Sequence, residues 1–361
     1  MSKTRPDDGR RQFTRAALAA LALPLVARAQ PGAADAPHKA LYMYQGADRE
    51  ARLAAEAKKQ REVVMYTSLN LKDSVPLTEA FEKKTGLKVN LWRASSEKVL
   101  QRAVTEARAG RFACDIIETN GPEMEACYRE KLLEEFYSPH FKDLPAAAFP
   151  RHRHYVADRF NFFTIGYNTN LVKPEEVPNA YTDLVNPRWA GRVGLEGSDV
   201  DWFGAVVKSM GEQKGLEFFR KLASTNGISP RQGHTLLNNM VVSGEVPMAL
   251  TVYNYMPEQA KKKGAPIDWF VIEPAIARAN AIGIARHAQH PNAALLFYEY
   301  LLGPEGQNAM VSIDYVPTNT KVESPLKGVK IVQTDPIRSL DEADKWSKLY
   351  QDVVVKKAGA R

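Results

Sequence analysis

Val246-Pro-Met-Ala-Leu-Thr-Val-Tyr-Asn-Tyr-Met256 is an apolar, β-branched run bounded by Gly244 and stopped by Pro257. That pattern predicts a buried strand ending in a Tyr-Asn-Tyr cluster. In an open α/β sheet, ligands sit beyond the carboxyl ends of the strands. Tyr253 and Tyr255 alternate with Asn254, so on a regular strand both share one face and are expected to look into a cleft. Other strand ends carry small polar residues just before a helix, a repetition that points to a binding protein rather than an enzyme.

Upstream, the same alternation recurs. Glu62-Val-Val-Met-Tyr66 reads as a strand ending in the polar loop Thr67-Ser-Leu-Asn70. A helix over Leu77 to Thr85 is closed by Gly86, the usual residue after a helix end. Leu87 to Trp92 is a strand, Ser95-Ser96 open a helix running to Ala109, Asp115 to Glu118 is a strand, and Thr119-Asn-Gly-Pro122 leads into the next helix. This βαβαβα order implies a mostly parallel sheet with helices on both faces. Arg159 to Tyr167 then leaves the first unit, and the pattern restarts with a strand over Gly191 to Leu195, helices from Asp199, Gly215 and Thr235, and the strand ending at Tyr255. Trp269 to Glu273 is a further strand, and Ala281 to Ala285 returns to the first unit. Two crossings make a hinge that can close on a ligand.

The chain of 361 residues is 44% hydrophobic and 25% charged, ordinary for a globular protein with two cores. Of the formal charge of +7, residues 1–29 contribute +4 through Lys3, Arg5, Arg10, Arg11, Arg15 and Arg28 against Asp7 and Asp8. The remainder is nearly balanced and carries no basic stripe interleaved with aromatics, which excludes a nucleic-acid reading. Gly9-Arg-Arg-Gln-Phe-Thr-Arg15, the apolar run Ala16 to Val26 and Ala27-Arg-Ala29 have the form of a cleavable twin-arginine-like export signal. The apolar run is too short to span a bilayer. Export makes a disulfide between Cys114 and Cys127 permissible; two separately buried thiols are an equal expectation. Residues 30–45 read as a flexible leader, followed by a helix from Ala47 to Lys59.

Four segments resemble the signatures of periplasmic solute-binding proteins of ABC importers: Phe81-Glu-Lys-Lys-Thr-Gly-Leu-Lys-Val89, Ile165-Gly-Tyr-Asn-Thr-Asn-Leu171, Asn186-Pro-Arg-Trp-Ala-Gly-Arg-Val-Gly194, and Pro291 to Gln307. They occur in family order over residues 60–320, and the resemblance is to the ferric-iron-binding branch of the type 2 fold. It implies two α/β lobes joined by a two-strand hinge: residues 60–158 with 279–320 as the first lobe, 159–278 as the second, and 321–361 as a helical segment packed on both. It also implies a monomer in the periplasm that hands its solute to a permease in the inner membrane. Ferric proteins of this branch use adjacent second-lobe tyrosines, a first-lobe histidine and glutamate, and an anion held at a helix start. Here Tyr255 falls on the second tyrosine and Asn254 replaces the first. The histidine position falls near Leu69-Asn70, the glutamate position near Asn120, and the helix start reads Gly197-Ser-Asp-Val-Asp201.

Two ligand readings follow. In one, Tyr255, Tyr253, Asp199 and His234 bind Fe3+, a hard ion suited to phenolate and carboxylate oxygens; the iron is then cargo, and no resident cofactor is required. In the other, Thr67, Ser68, Asn70, Ser95, Asn120, Thr235 and Asn254 hydrogen-bond a small organic solute against Tyr253 and Trp202, and Asp199 pairs with an amine or hydroxyl on it. Locally, Ser198 and Asp201 fit a capping box, His152 and His154 lie in a polar loop expected to be solvated, and Lys261-Lys-Lys263 suits a helix C-terminus. No Gly-x-Ser-x-Gly, His-Glu-x-x-His, Gly-x-Gly-x-x-Gly or Cys-x-x-Cys motif supports an enzyme.

Overall fold

The structure, a computed structural model, describes residues 37–326 and 329–356. The export signal, its cleavage point near Gln30 and the leader up to residue 36 lie outside the described residues. From residue 37 the leader is ordered: helix α1 (Lys39–Tyr42) buries Tyr42 completely. Helix α2 (Arg49–Gln60) then feeds strand β1 (Glu62–Thr67).

Helix α3 (Leu71–Thr85) starts earlier than its apolar spacing suggests. The Asn70 side chain accepts the Lys72 N–H and caps it, and Pro76 removes one internal hydrogen bond without ending the helix. β2 (Lys88–Arg93), α4 (Ser96–Arg108), β3 (Ile116–Asn120) and α5 (Gly121–Arg129) complete the first half. β1 pairs parallel with both β2 and β3, so Thr67 and Asn120 emerge at the same edge.

β4 (Val156–Asn168) is 13 residues long, on the order of 40 Å, and crosses between the halves. Its first part pairs antiparallel with β9 (Ala275–Ile284), and its last part pairs with β7 (Met248–Tyr253) and β8 (Ile267–Phe270). β9 in turn pairs antiparallel with β3. Every residue of β9, and all but one of β4, is buried, as expected for central strands covered on both faces. In the second half, β5 (Val193–Glu196) lies parallel to β7 and to β6 (Ser229–Arg231). The resulting order is β2-β1-β3-β9-β4-β7-β5-β6, parallel within each half and antiparallel where the halves join. Helices α6 (Val200–Met210), α7 (Glu212–Thr225), α8 (His234–Ser243) and α9 (Tyr255–Lys262) flank the second half. α10 (Pro291–Leu302) and α11 (Pro304–Ser312) pack back on the first.

The chain's end straps both halves. After β10 (Val316–Pro317), β11 (Ile331–Gln333) pairs with β9, α12 (Pro336–Asp341) packs on α5, and α13 (Ala343–Tyr350) packs on α6. Asp341 pairs with Arg129 of the first half at 2.7 Å, and its neighbour Glu342 with Lys208 of the second at 2.5 Å. No described helix is long and apolar enough to cross a membrane.

Several local expectations change. The strand quoted at the outset ends at Tyr253, not Tyr255: Asn254 takes helical angles (φ −44°, ψ −42°), and Pro257 sits in the first turn of α9, where its missing N–H has no partner to lose. Ser198 and Asp201 form no capping box, because α6 has no side-chain cap: Ser198 donates to Glu196, and Asp201 receives Arg278. His152 is not solvated; its ring stacks on Tyr128 at 3.5 Å and meets Glu125 at 3.0 Å. Cys114 and Cys127 are both free and buried, so no disulfide forms.

Candidate functional site

The parallel strands of both halves direct their carboxyl ends to one region. Thr67 and Asn120 come from β1 and β3, Glu196 and Tyr253 from β5 and β7.

In the second half, Asp199 is buried just before α6, and both its oxygens lie 3.0 to 3.1 Å from Nε2 of His234, at the start of α8. Glu196 holds the two loops in place. One of its oxygens accepts the amide and hydroxyl of Ser198, and the other accepts the amide of Gly233. One ligand atom from each of Glu196, Asp199 and His234 lies within 4.8 Å of the others. The ring of Tyr253 lies over the imidazole at 4.2 Å, Tyr255 follows at 6.0 Å, and Tyr315 stacks on Tyr255 at 4.1 Å. Tyr315 donates to Asp73 of the first half at 3.0 Å. A continuous row of oxygen donors and rings therefore runs from Glu196 across to the first half. Burial raises the Tyr255 hydroxyl to about 12, opposed by its neighbour Tyr315 and by the charge of Arg159.

Arg278, on β9, reaches into this row. Its guanidinium lies 2.9 Å from Asp201 and 3.6 Å from Asp199, and over the rings of Phe163 and Tyr253 at 5.0 and 5.5 Å. Glu123, in the first turn of α5, faces the same charges, and burial raises its carboxyl to about 7 against the pull of Arg278. Oε2 of Glu123, Oδ2 of Asp201 and Nε of Arg278 are buried without a hydrogen-bond partner among the described residues. Buried polar atoms are almost always partnered, so a gathering of exceptions marks a place where something else completes them.

The first half is tied to the crossing strands. Arg159 of β4 pairs with Glu118 at 2.6 Å and Asp158 at 2.9 Å, all three buried. Thr67 donates its hydroxyl to Glu118. Asn161 donates to Asn280 at 2.6 Å, and Asn280 to Asn120 at 3.2 Å.

Of the residues singled out in the sequence, Asp199, His234, Tyr253 and Tyr255 are brought together. Asn254 lies beside them, but its amide donates to the Asp314 carbonyl. Trp202 is fully buried in the second half's core against Phe163, Tyr181 and Phe219, and offers no wall to a ligand. Asn70 is spent on the α3 cap, Ser68 donates its amide to the Glu118 carbonyl, Ser95 precedes α4 with no side-chain cap, and Thr235 is exposed. Sequence reading missed Glu196, Arg278 and Glu123, and gave Asp201 only the role of a helix cap. Arg278 did leave a signal: it is the single charged residue in the run Ala275 to Ile284, which is apolar apart from it and Asn280.

A family model for bacterial extracellular solute-binding proteins matches residues 115–342. The chain belongs to that family. This solute-binding protein is 24% identical over 306 residues to iron uptake protein A1 of Synechocystis, covering 77% of this chain and 83% of the relative. It is 21% identical to the major ferric iron-binding protein of Neisseria gonorrhoeae, covering 81% and 89%. Iron-bound HitA of Pseudomonas aeruginosa superposes with a TM-score of 0.71 at 19% identity, covering 81% of this chain and 99% of that one. That likeness establishes the fold expected from the sequence: two α/β lobes joined by a two-strand hinge, of the type 2 periplasmic-binding kind. The halves described above are those lobes.

Proposed function

We propose that this solute-binding protein is the periplasmic component of an ABC importer, closes its two lobes on ferric iron, and delivers the ion to an inner-membrane permease. The observation that carries the reading is the meeting of Glu196, Asp199 and His234 within 4.8 Å, with Tyr253 laid over the imidazole and Tyr255 next in line. Carboxylate and phenolate oxygens with one imidazole suit a hard, highly charged cation. The surrounding charge agrees. Glu196, Asp199 and Asp201, with Glu123 partly protonated beside them, face Arg278, an excess of negative charge that a cation would balance. Relatives named for iron binding or iron uptake support the same cargo.

Several of the groups that an organic solute would need are at least partly engaged elsewhere. Asn70 caps a helix, Asn120 accepts from Asn280, the Asn254 amide bonds a carbonyl, and Trp202 is in the core. Ferric iron is cargo here, released intact, and the protein works as a binding protein and a monomer.

Thermal unfolding tests this directly, because a ligand that binds only the folded form raises the midpoint in proportion to the logarithm of its excess over the dissociation constant. Ferric citrate should raise it, and polyamines, amino acids and small organic acids should not. A shift with an organic solute and none with iron would replace the cargo.

A further inference from the structure

A cavity of about 230 Å3 opens at the end of the first lobe's sheet opposite the cleft. It lies where β3 begins, so the five residues of that strand, roughly 16 Å, separate it from the cleft end of the strand at Asn120. Its interior is apolar: Ala103 and Ala107 of α4, Ile117 of β3, and Leu132 after α5. Phe112 forms one wall, 38% exposed, with its ring tilted against His287 at 4.2 Å. An apolar cavity of about 150 Å3 is enough to hold a benzene ring. This one has room for a ring and a short substituent.

The mouth is cationic. Arg108 is neutralised by Glu130, whose two oxygens lie 3.0 and 3.1 Å from one guanidinium nitrogen. Glu106 is likewise taken, by Arg102 and the Tyr66 hydroxyl at 2.8 Å each. Arg111 and Lys131 then remain, each lining the cavity and neither in an ion pair among the described residues. Lys131 moreover has φ +59°, a left-handed conformation that a lysine adopts at a cost and a glycine would adopt freely.

We infer that this cavity is a second ligand site, distinct from the iron cleft, that takes a small aromatic monocarboxylate with its ring on the apolar floor and its carboxylate between Arg111 and Lys131. The chemistry separates the parts of the ligand. The ring alone gains only apolar burial, the carboxylate alone only a screened surface attraction, and together they gain both.

Calorimetric titration of the purified protein with phenylacetate and benzoate tests the assignment, with benzyl alcohol and acetate as probes lacking the charge or the ring. The expected result is saturable binding of an aromatic carboxylate with a dissociation constant of about 1 mM or below. The double variant Arg111→Glu, Lys131→Glu should weaken it about tenfold or more, as should Ala107→Trp, which fills the cavity; ferric affinity should be unchanged in the double variant. The charge reversals are at exposed positions and leave the fold intact if the melting midpoint is retained. Absence of saturable binding by both carboxylates, equal binding of acetate or benzyl alcohol, or equal binding by the double variant would each overturn the site.

Discussion

The two lobes bring opposite kinds of polar group to the cleft. In the second, Asp199, His234, Tyr253 and Tyr255 stand in one row, with Asp199 and His234 bonded to each other and Glu196 fixing the loops that carry them. In the first, Thr67, Glu118 and Asn120 are bonded into the crossing strands through Arg159 and Asn280. One lobe is built to hold, the other to be held at a set angle. On the ferric reading proposed above, the difference puts the decision on occupancy in the second lobe, while the first lobe's polar residues bond to the crossing strands. Buried ion pairs act as positioning devices here, since their net contribution to stability is small but breaking one leaves an unpaired buried charge.

The comparison can be broken most forcefully at the hinge. Arg159→Met strands Glu118 and Asp158, both about 1% exposed at the side chain, and should lower the unfolding free energy by about 3–5 kcal/mol in urea titrations. A loss under about 1 kcal/mol would mean that the carboxylates find other partners, and the first lobe would no longer be the fastened one. At the other pole, Asp199→Asn and Tyr255→Phe should each weaken ferric binding by more than about a hundredfold, with little change in melting midpoint. Equal losses from Asn120→Ala would erase the asymmetry.

Smaller effects sharpen it. Burial raises the Glu134 carboxyl, in the first lobe, to about 7, with only partial relief from Arg286. The folded chain therefore keeps a proton there that the unfolded chain releases above its own, ordinary carboxylate pKa. Stability from this group is full below that unfolded value and is lost as the pH rises through about 7. Glu134→Gln should flatten the decline in melting midpoint between about pH 5 and about pH 8; an unchanged slope would place the loss elsewhere. Smallest is the clasp of the C-terminal strap: Asp341→Ala removes an exposed pair with Arg129 and should cost under about 1 kcal/mol. Chemical denaturation of the variant against the parent checks this; a loss well above that would make the strap a main support of the fold.

Much of this was legible in the sequence. The βαβ alternation up to residue 158, the crossing near Arg159 and the return before Ala285 all follow from hydrophobic period and turn residues, and four motifs fixed the family. Asp199, His234, Tyr253 and Tyr255 were readable because each stands beside a strand end or helix start. What was not legible depends on contacts between segments far apart in the chain. Arg278 and Asp201 are 77 positions apart, and Arg159 and Glu118 are 41 apart. Asn254 looks like a strand residue by alternation, yet its amide reaches the Asp314 carbonyl and the chain turns into a helix there. Tyr315, which carries the row across to Asp73, gives no sign in its own neighbourhood of its partner 242 residues away.

The claim that the second lobe's row holds ferric iron is tested most directly by visible absorption during ferric citrate titration of the protein and of its Tyr253→Phe and Tyr255→Phe variants. A tyrosinate-to-iron charge-transfer band that saturates at one ion per chain, and that shifts or weakens in at least one variant, is the predicted result. No band, or a band indifferent to both substitutions, would contradict it.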